Sequence, residues 1–345
     1  MLNLLVFTTK KRIVSSLILL LLVFFAFIYL DLLRYGWMQA KGQLTLLWKA
    51  QPIEELLENK TLPDSIVLKL KLSKAIKEHA TTLGLTVGDA YTTYYDQAGK
   101  TLLWNLSASP PFELKAYQWH FPLLGNFGYK GFFDLDKAQS ERERLSEDGY
   151  DTNIRSVSAW STLGWFNDPI LSNLLDRPIG KFAETLFHEL THSTVFIKDS
   201  LTFNENLASF IGQEATISFL MLHYGDQSSE LEAYQASLSD SNVFREHMLK
   251  GKDQLAQLYA AFGPTMSNEE KVEQKQLLIS QILETLDTLQ FEKIQYAPLL
   301  KRRTLPNNAY FMGFKRYHSY RALLEKELAR HDGDLRSLIR QYKDL

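Results

Sequence analysis

The sequence predicts an α+β, predominantly α chain with an N-terminal transmembrane helix, a small β-sheet lobe and a helical lobe. Three observations lead there. Residues 13–30 carry no charge and follow Lys10-Lys11-Arg12; strand-like segments cluster between about 89 and 175; and from Ile179 onward apolar residues recur at helical spacing. With 345 residues and 45% hydrophobic content, the chain can bury a sizeable core in one or two domains.

The first element is set by its length. Ile13 to Leu30 gives eighteen uncharged residues, enough to span a bilayer, and Asp31-Leu32-Leu33 suits the interface. The expected anchor is therefore 13–33. Phe25-Ala26-Phe27-Ile28-Tyr29 offers no Ala-x-Ala cleavage site, which disfavours a removed signal peptide. The basic cluster keeps residues 1–12 cytoplasmic and sends 34–345 across. Met38–Leu57 and Pro63–Leu83 then read as helices, the second stopped by Gly84.

The sheet-containing part covers roughly 89–175. Thr101–Ser109, Gln118–Phe121 and Gly128–Phe133 are strand-like; Asp134–Glu147 is an amphipathic helix, and Asp151–Trp160 is strand-like again. The helical part, 179–345, includes long helices near 228–262 and 266–289, separated by Gly263-Pro264.

The chemistry concentrates in one stretch of the helical part. His188-Glu189-Leu190-Thr191-His192 places two imidazoles four residues apart, hence on one helix face, where both can grip one metal ion. Lys181–Thr194 contains neither Pro nor Gly, and Phe182, Leu186, Phe187 and Leu190 give it a buried face. A half-buried group of His and Glu is costly unless something satisfies it, and a metal does so.

A catalytic zinc needs a third protein ligand and an open position. A third His in an H-x-x-G-x-x-H continuation is excluded, because Val195 and Lys198 stand at the Gly and His positions. Asp199 lies in a Lys-Asp-Ser turn and suits solvent. Glu205 opens the next helix, Glu205–Tyr224, and an antiparallel return over about ten residues brings it back to the His pair. The metal set is thus His188, His192 and Glu205, with Zn2+ as the ion. Glu189 is the expected general base, taking a proton from the activated water and passing it to a leaving amine.

The Asn204-Glu205-x-x-Ala208 pattern behind H-E-x-x-H resembles the gluzincin metallopeptidases. The chain is also similar to a bacterial family of putative aminopeptidases of the cell envelope. That likeness rests on Gln39-Ala40-Lys41-Gly42-Gln43, Pro122-Leu123-Leu124-Gly125, Tyr129–Asp134, Ser161–Pro169, the metal motif and Asn307-Asn308-Ala309. It implies a zincin-like catalytic lobe, a peptide substrate and, with the anchor, a single-pass inner-membrane protein whose catalytic domain is periplasmic. It also implies an oxyanion donor, for which Tyr317 leads and His318 follows, and an edge strand beside the metal helix, for which Ser156–Trp160 is placed. Three departures stand out. Ser209 occupies the position where gluzincins carry an Asp that orients an imidazole. No Cys exists to carry a lipid, and no Gly-x-Met-Glu-Asn element holds a substrate amine.

Other side chains near the motif have plainer roles. Lys181, Glu184 and Glu214 read as surface or supporting groups, and Trp160, Trp165 and Phe166 as packing or pocket lining. The net charge of −2 gives no electrostatic case for nucleic acid, and zero Cys excludes thiolate metal sites and disulfides. No feature specifies an oligomeric state. The leading function is a membrane-anchored zinc aminopeptidase; a zinc endopeptidase acting on envelope proteins and a non-catalytic protein with a structural zinc remain as alternatives.

Overall fold

Prolines cut the N-terminal helical pattern into pieces. In a computed structural model that describes residues 30–59, 62–121, 125–157, 167–198, 200–292, 305–315 and 320–344, helix α1 runs Leu30–Lys49. The helix expected over Met38–Leu57 ends early because Pro52 lacks an N–H and cannot sit inside it. Gln51–Pro52 instead forms strand β1, and α2 resumes at Ile53–Glu58. After Pro63, helix α3 covers Asp64–Thr82, close to expectation.

The transmembrane expectation is corrected. No helix among the described residues is long and apolar enough to cross a membrane. Residues 13–29 of the expected anchor lie outside the described residues. The described remainder opens α1, which carries Asp31, Arg34, Lys41 and Lys49 within its 20 residues, a charge density that a bilayer-spanning helix does not tolerate. The fold class is a mostly helical α+β protein in which a transmembrane helix is not shown. The single-pass inner-membrane location falls with it.

The chain divides into two compact units, Met1–Trp48 and Lys49–Leu345. Helix α1 belongs almost wholly to the first. The described residues of the second form three small sheets. Strand β2 (Thr93–Tyr95) pairs antiparallel with β1 and parallel with β8 (Ile170–Leu171). Strand β3 (Trp104–Ser109) lies between β6 (Lys130–Phe132) and β7 (Asp151–Ser156), antiparallel to both. Strands β4 (Trp119–Phe121) and β5 (Gly125–Phe127) form a hairpin. Helix α4 (Leu135–Glu147) begins where the Asp134 carboxylate accepts the N–H groups of Asp136 and Lys137.

The remaining described elements are helical. They are α5 (Ser172–Leu175), α6 (Ile179–Thr194), α7 (Leu201–Tyr224), α8 (Ser229–Ala260), α9 (Asn268–Glu284), α10 (Asn308–Met312), α11 (Arg321–Arg330) and α12 (Leu335–Lys343). Ser267 and Glu270 close a capping box at the start of α9. The main core forms around the α6–α7 pair. Phe182, Leu186, Phe187 and Leu190 meet Leu207, Phe210, Ile211 and Phe219, with Leu70 and Ile76 of α3 and Leu338 and Ile339 of α12 closing over them. A second core joins Met248 and Leu255 of α8 to Ile279, Ile282 and Leu283 of α9 and Phe311 of α10.

Candidate metal centre and its surroundings

The α6–α7 pair positions every motif residue described. Pro178 precedes α6, where its missing N–H costs nothing. Burying Phe182, Leu186, Phe187 and Leu190 on one side leaves His188 and His192 together on another. The return to α7 is tight, because Asn204 holds the connection: its Oδ1 accepts the Ile197 N–H at 3.0 Å and its Nδ2 donates to the Ile197 carbonyl at 2.8 Å. Helix α7 consequently starts at Leu201, four residues before the expected Glu205, and the connection is shorter than the ten residues anticipated. Gly212 sets how closely the helices approach. A Cβ there would meet the Glu184 carbonyl at 3.1 Å and the His188 nitrogen at 3.3 Å, so glycine allows backbone contact at the level of the motif.

This packing brings Glu205 to the imidazoles. His188 Nε2 lies 3.2 Å from His192 Nε2. The Glu205 carboxylate lies 3.7 Å from the first and 3.8 Å from the second. Ligand atoms of the three residues fall within 4.8 Å of one another, so the group could hold a metal ion. Burial lowers His188 to about 4; burial and then the His188 neighbour lower His192 to about 3. Both imidazoles are therefore neutral near pH 7, the form in which they ligate metals. Ser209 Oγ lies 3.5 Å from His188 Nδ1; in the tautomer protonated at Nδ1 it accepts that N–H, which leaves Nε2 free for an ion.

Glu189 is half-buried on α6. A buried phenol unanticipated from sequence, Tyr91, feels its charge: burial, then Glu189, then Asp168 hold the Tyr91 hydroxyl well above its usual range and thus protonated. Tyr91 adopts φ +58°, and its N–H donates to the Asp168 carbonyl at 2.9 Å. A bulky residue in the left-handed region stores strain. No motif spacing could have revealed it.

A cavity of about 770 Å3 adjoins the group, within the range of ligand sites. Ser209 both lines it and contacts His188, linking the two. Residues 153–156 of β7 form one wall. Among the described residues β7 pairs only with β3, along its whole length, and lies at the sheet's edge. The expected edge strand Ser156–Trp160 thus meets the observed strand at Ser156 alone; residues 158–166, with Trp160, Trp165 and Phe166, lie outside the described residues. Asp199, Tyr317 and His318 lie outside them too.

The remaining expected neighbours are placed. Lys181 and Glu184 line the cavity and pair with each other at 2.7 Å, while Gln213 donates to Glu184 at 3.4 Å. Glu214 is half-buried, its carboxyl raised by burial against a lowering by Arg321. Cavity-lining Arg245, on α8, was not anticipated. The wall draws on segments far apart in sequence, so no local pattern marks it.

Two histidines and a glutamate on an antiparallel helix pair, beside a small sheet in which β7 is an edge strand among the described residues, define a mostly helical α+β protein with a group that could hold a metal. A family model described as Aminopep, Putative aminopeptidase, matches residues 34–345, and the chain belongs to that family. Membership supports a peptidase-like function, that of a hydrolase acting on peptide bonds. No curated protein and no solved structure matches the chain.

Proposed function

We propose that the chain is a zinc-dependent peptidase of the gluzincin type, with His188, His192 and Glu205 as ligands and Glu189 as general base. The observation that carries this reading is the convergence of those three side chains, on two helices, with both imidazoles neutral. Three protein donors of the N, N, O kind leave one position open, the donor set of a catalytic rather than a structural zinc. When bound, the ion supplies Lewis-acid chemistry, acidifying a water and polarising a scissile carbonyl.

The chain's own residues do the rest. Glu189 follows His188 directly, so its carboxylate can take the proton of the attacking water and return it to the leaving amine. Ser209 orients His188 through Nδ1. Strand β7 offers its free edge to an extended substrate, which would add as a further strand and be fixed by backbone hydrogen bonds. The oxyanion donor is proposed to be Tyr317, three positions beyond the cavity-lining Phe314. Family membership favours removal of N-terminal residues over internal cleavage.

The test is a Glu189→Gln variant beside the parent. The variant is expected to retain metal at the parent's stoichiometry and lose activity by about 1,000-fold, the middle of the range that a positioned base contributes. Turnover surviving in the variant would remove Glu189 from the mechanism, and a parent without metal would remove the ion. Free and N-acetylated peptides assayed in parallel separate the modes: cleavage of free peptides alone supports an aminopeptidase, and cleavage of both supports an endopeptidase.

A further inference from the structure

Charges on the cavity wall do not balance. Lys181 is matched by Glu184 at 2.7 Å, and Gln213 takes up the other Glu184 oxygen. Exposed Arg155 of β7 and half-buried Arg245 of α8 also line the cavity, and neither makes a hydrogen bond or an ion pair among the described residues. Arg245 is the more informative. It is half-buried, and burial, then neighbouring Arg321, pull its guanidinium down to about 10 against a small contribution from exposed Glu246. Arg321 cannot relieve it, being itself a cation engaged with Glu325 at 2.8 Å and Gln213 at 2.5 Å. The residues outside the described set contain one acidic side chain, Asp199, too few to neutralise two guanidinium groups.

A partly desolvated guanidinium facing a ligand-sized cavity is costly without a counter-anion and recognises planar carboxylates with its fork of donors. The same wall is unsuited to a free amine, because its one carboxylate among the described residues, Glu184, is already committed to Lys181. We infer that this cavity is a carboxylate-binding subsite, with Arg245 as its specificity-determining residue, and that it receives the leaving-group side of the substrate. The inference rests on the peptidase reading above for the identity of the ligand as a peptide. Its source is the C-terminal carboxylate of a short peptide or an acidic side chain following the cleaved bond. Arg155, on the edge strand to which the substrate would add, supports the same charge preference.

Equilibrium binding to the zinc-loaded Glu189→Gln chain tests this without turnover. Four peptides serve as probes: Leu-Glu-Gly and Leu-Gln-Gly, each as the free acid and as the C-terminal amide. The Leu-Gln-Gly amide, which carries no carboxylate, is expected to bind about 10–100-fold more weakly than the preferred carboxylate form, the range for a hydrogen-bonded charge pair. Adding Arg245→Met should abolish that preference, so that the four peptides bind alike. Preference following the terminal acid identifies the C-terminus; preference following Glu over Gln identifies a side chain. Equal affinity for all four peptides with Arg245 in place, or a preference that survives Arg245→Met, overturns the proposal. Should that variant not fold, Arg245→Lys decides: the preference shrinks several-fold as the fork is lost, or stays and the proposal fails. If the parent hydrolyses none of the four while this pattern holds, the peptidase reading fails and the subsite stands.

Discussion

Two polar clusters lie within the second unit, and they are built on opposite plans. In the first, Lys275 donates to Asp151 at 2.5 Å and to the Pro111 carbonyl at 2.8 Å. Fully buried Asn308 gives its N–H to the same carboxylate at 2.8 Å and its side-chain amide to the carbonyls of Pro110 and Pro111, and accepts from Tyr259 Oη at 2.7 Å. Donors meet acceptors throughout, so the cluster is closed. In the second, His188, His192 and Glu205 present electron-rich atoms to a common point. It is open in the chemical sense that a cation could complete it. Closed clusters hold a fold; open ones have a use for something from outside.

The two are connected through β7. Asp151 begins that strand, and Asn307 donates to the Thr152 carbonyl at 2.9 Å. The closed cluster therefore fixes the strand's start, and residues 153–156 continue along the cavity beside the open one. The largest expected effect of a single substitution on stability follows. Lys275→Met leaves the half-buried Asp151 carboxylate without its counter-charge and should destabilise the protein by about 3 kcal/mol in urea unfolding, the low end for breaking a buried pair. His192→Leu, a near-isosteric apolar change at a buried site, should leave the metal-free protein within about 1 kcal/mol of the parent while abolishing tight metal binding. If both cost the same in the metal-free protein, the distinction between closed and open clusters collapses.

The open cluster was largely legible in the sequence, and the closed one was not. His188, Glu189 and His192 follow a spacing tied to helix geometry, and Glu205 follows from the next helix folding back, so local rules suffice. Asn204 sits beside Glu205 in the same motif, yet its part is to staple residue 197. Asn307-Asn308-Ala309 was visible only as a likeness; its role depends on Pro110, Asp151 and Lys275, more than thirty residues away in every case. The same limit explains the missed β2–β8 pairing, two very short parallel strands some seventy-five residues apart, and the missed Arg245. Pro52 was legible and underweighted, since its effect on a helix is local. The anchor expectation came from hydropathy alone, and α1 answers it only from Leu30 onward, with charges.

A second contrast concerns pH. His188 and His192 have folded values near 4 and 3, below the usual 6.5 of an unfolded chain. Above pH 6.5 both states are neutral there, and the pair adds no pH dependence. As pH falls from 6.5 toward 4, the unfolded chain takes up protons that the folded chain refuses, so stability drops. Below about 3 both states are protonated and the loss is complete. The metal-free protein should lose on the order of 3 kcal/mol for each imidazole, about 6 kcal/mol for the pair, between pH 7 and pH 4 relative to a His188→Leu/His192→Leu double variant. Parallel pH profiles for the two would mean that the imidazoles are not held neutral by burial.

The smallest expected effect falls on Ser209, where the sequence departs from the gluzincin pattern. Its Oγ sits 3.5 Å from His188 Nδ1, at the long limit of a hydrogen bond, and a neutral hydroxyl raises the basicity of an imidazole less than a carboxylate does. Ser209→Ala should weaken zinc binding about 10-fold in competition with a chelator, the low end of what an outer partner contributes. Ser209→Asp should strengthen it, since a charged acceptor holds the Nδ1–H more firmly. Because Ser209 also lines the cavity, the added carboxylate should lower affinity for acidic peptides while raising it for the metal. Opposite shifts from one substitution would show that the open cluster and the arginine-lined cavity form a single site; shifts in the same direction would separate them.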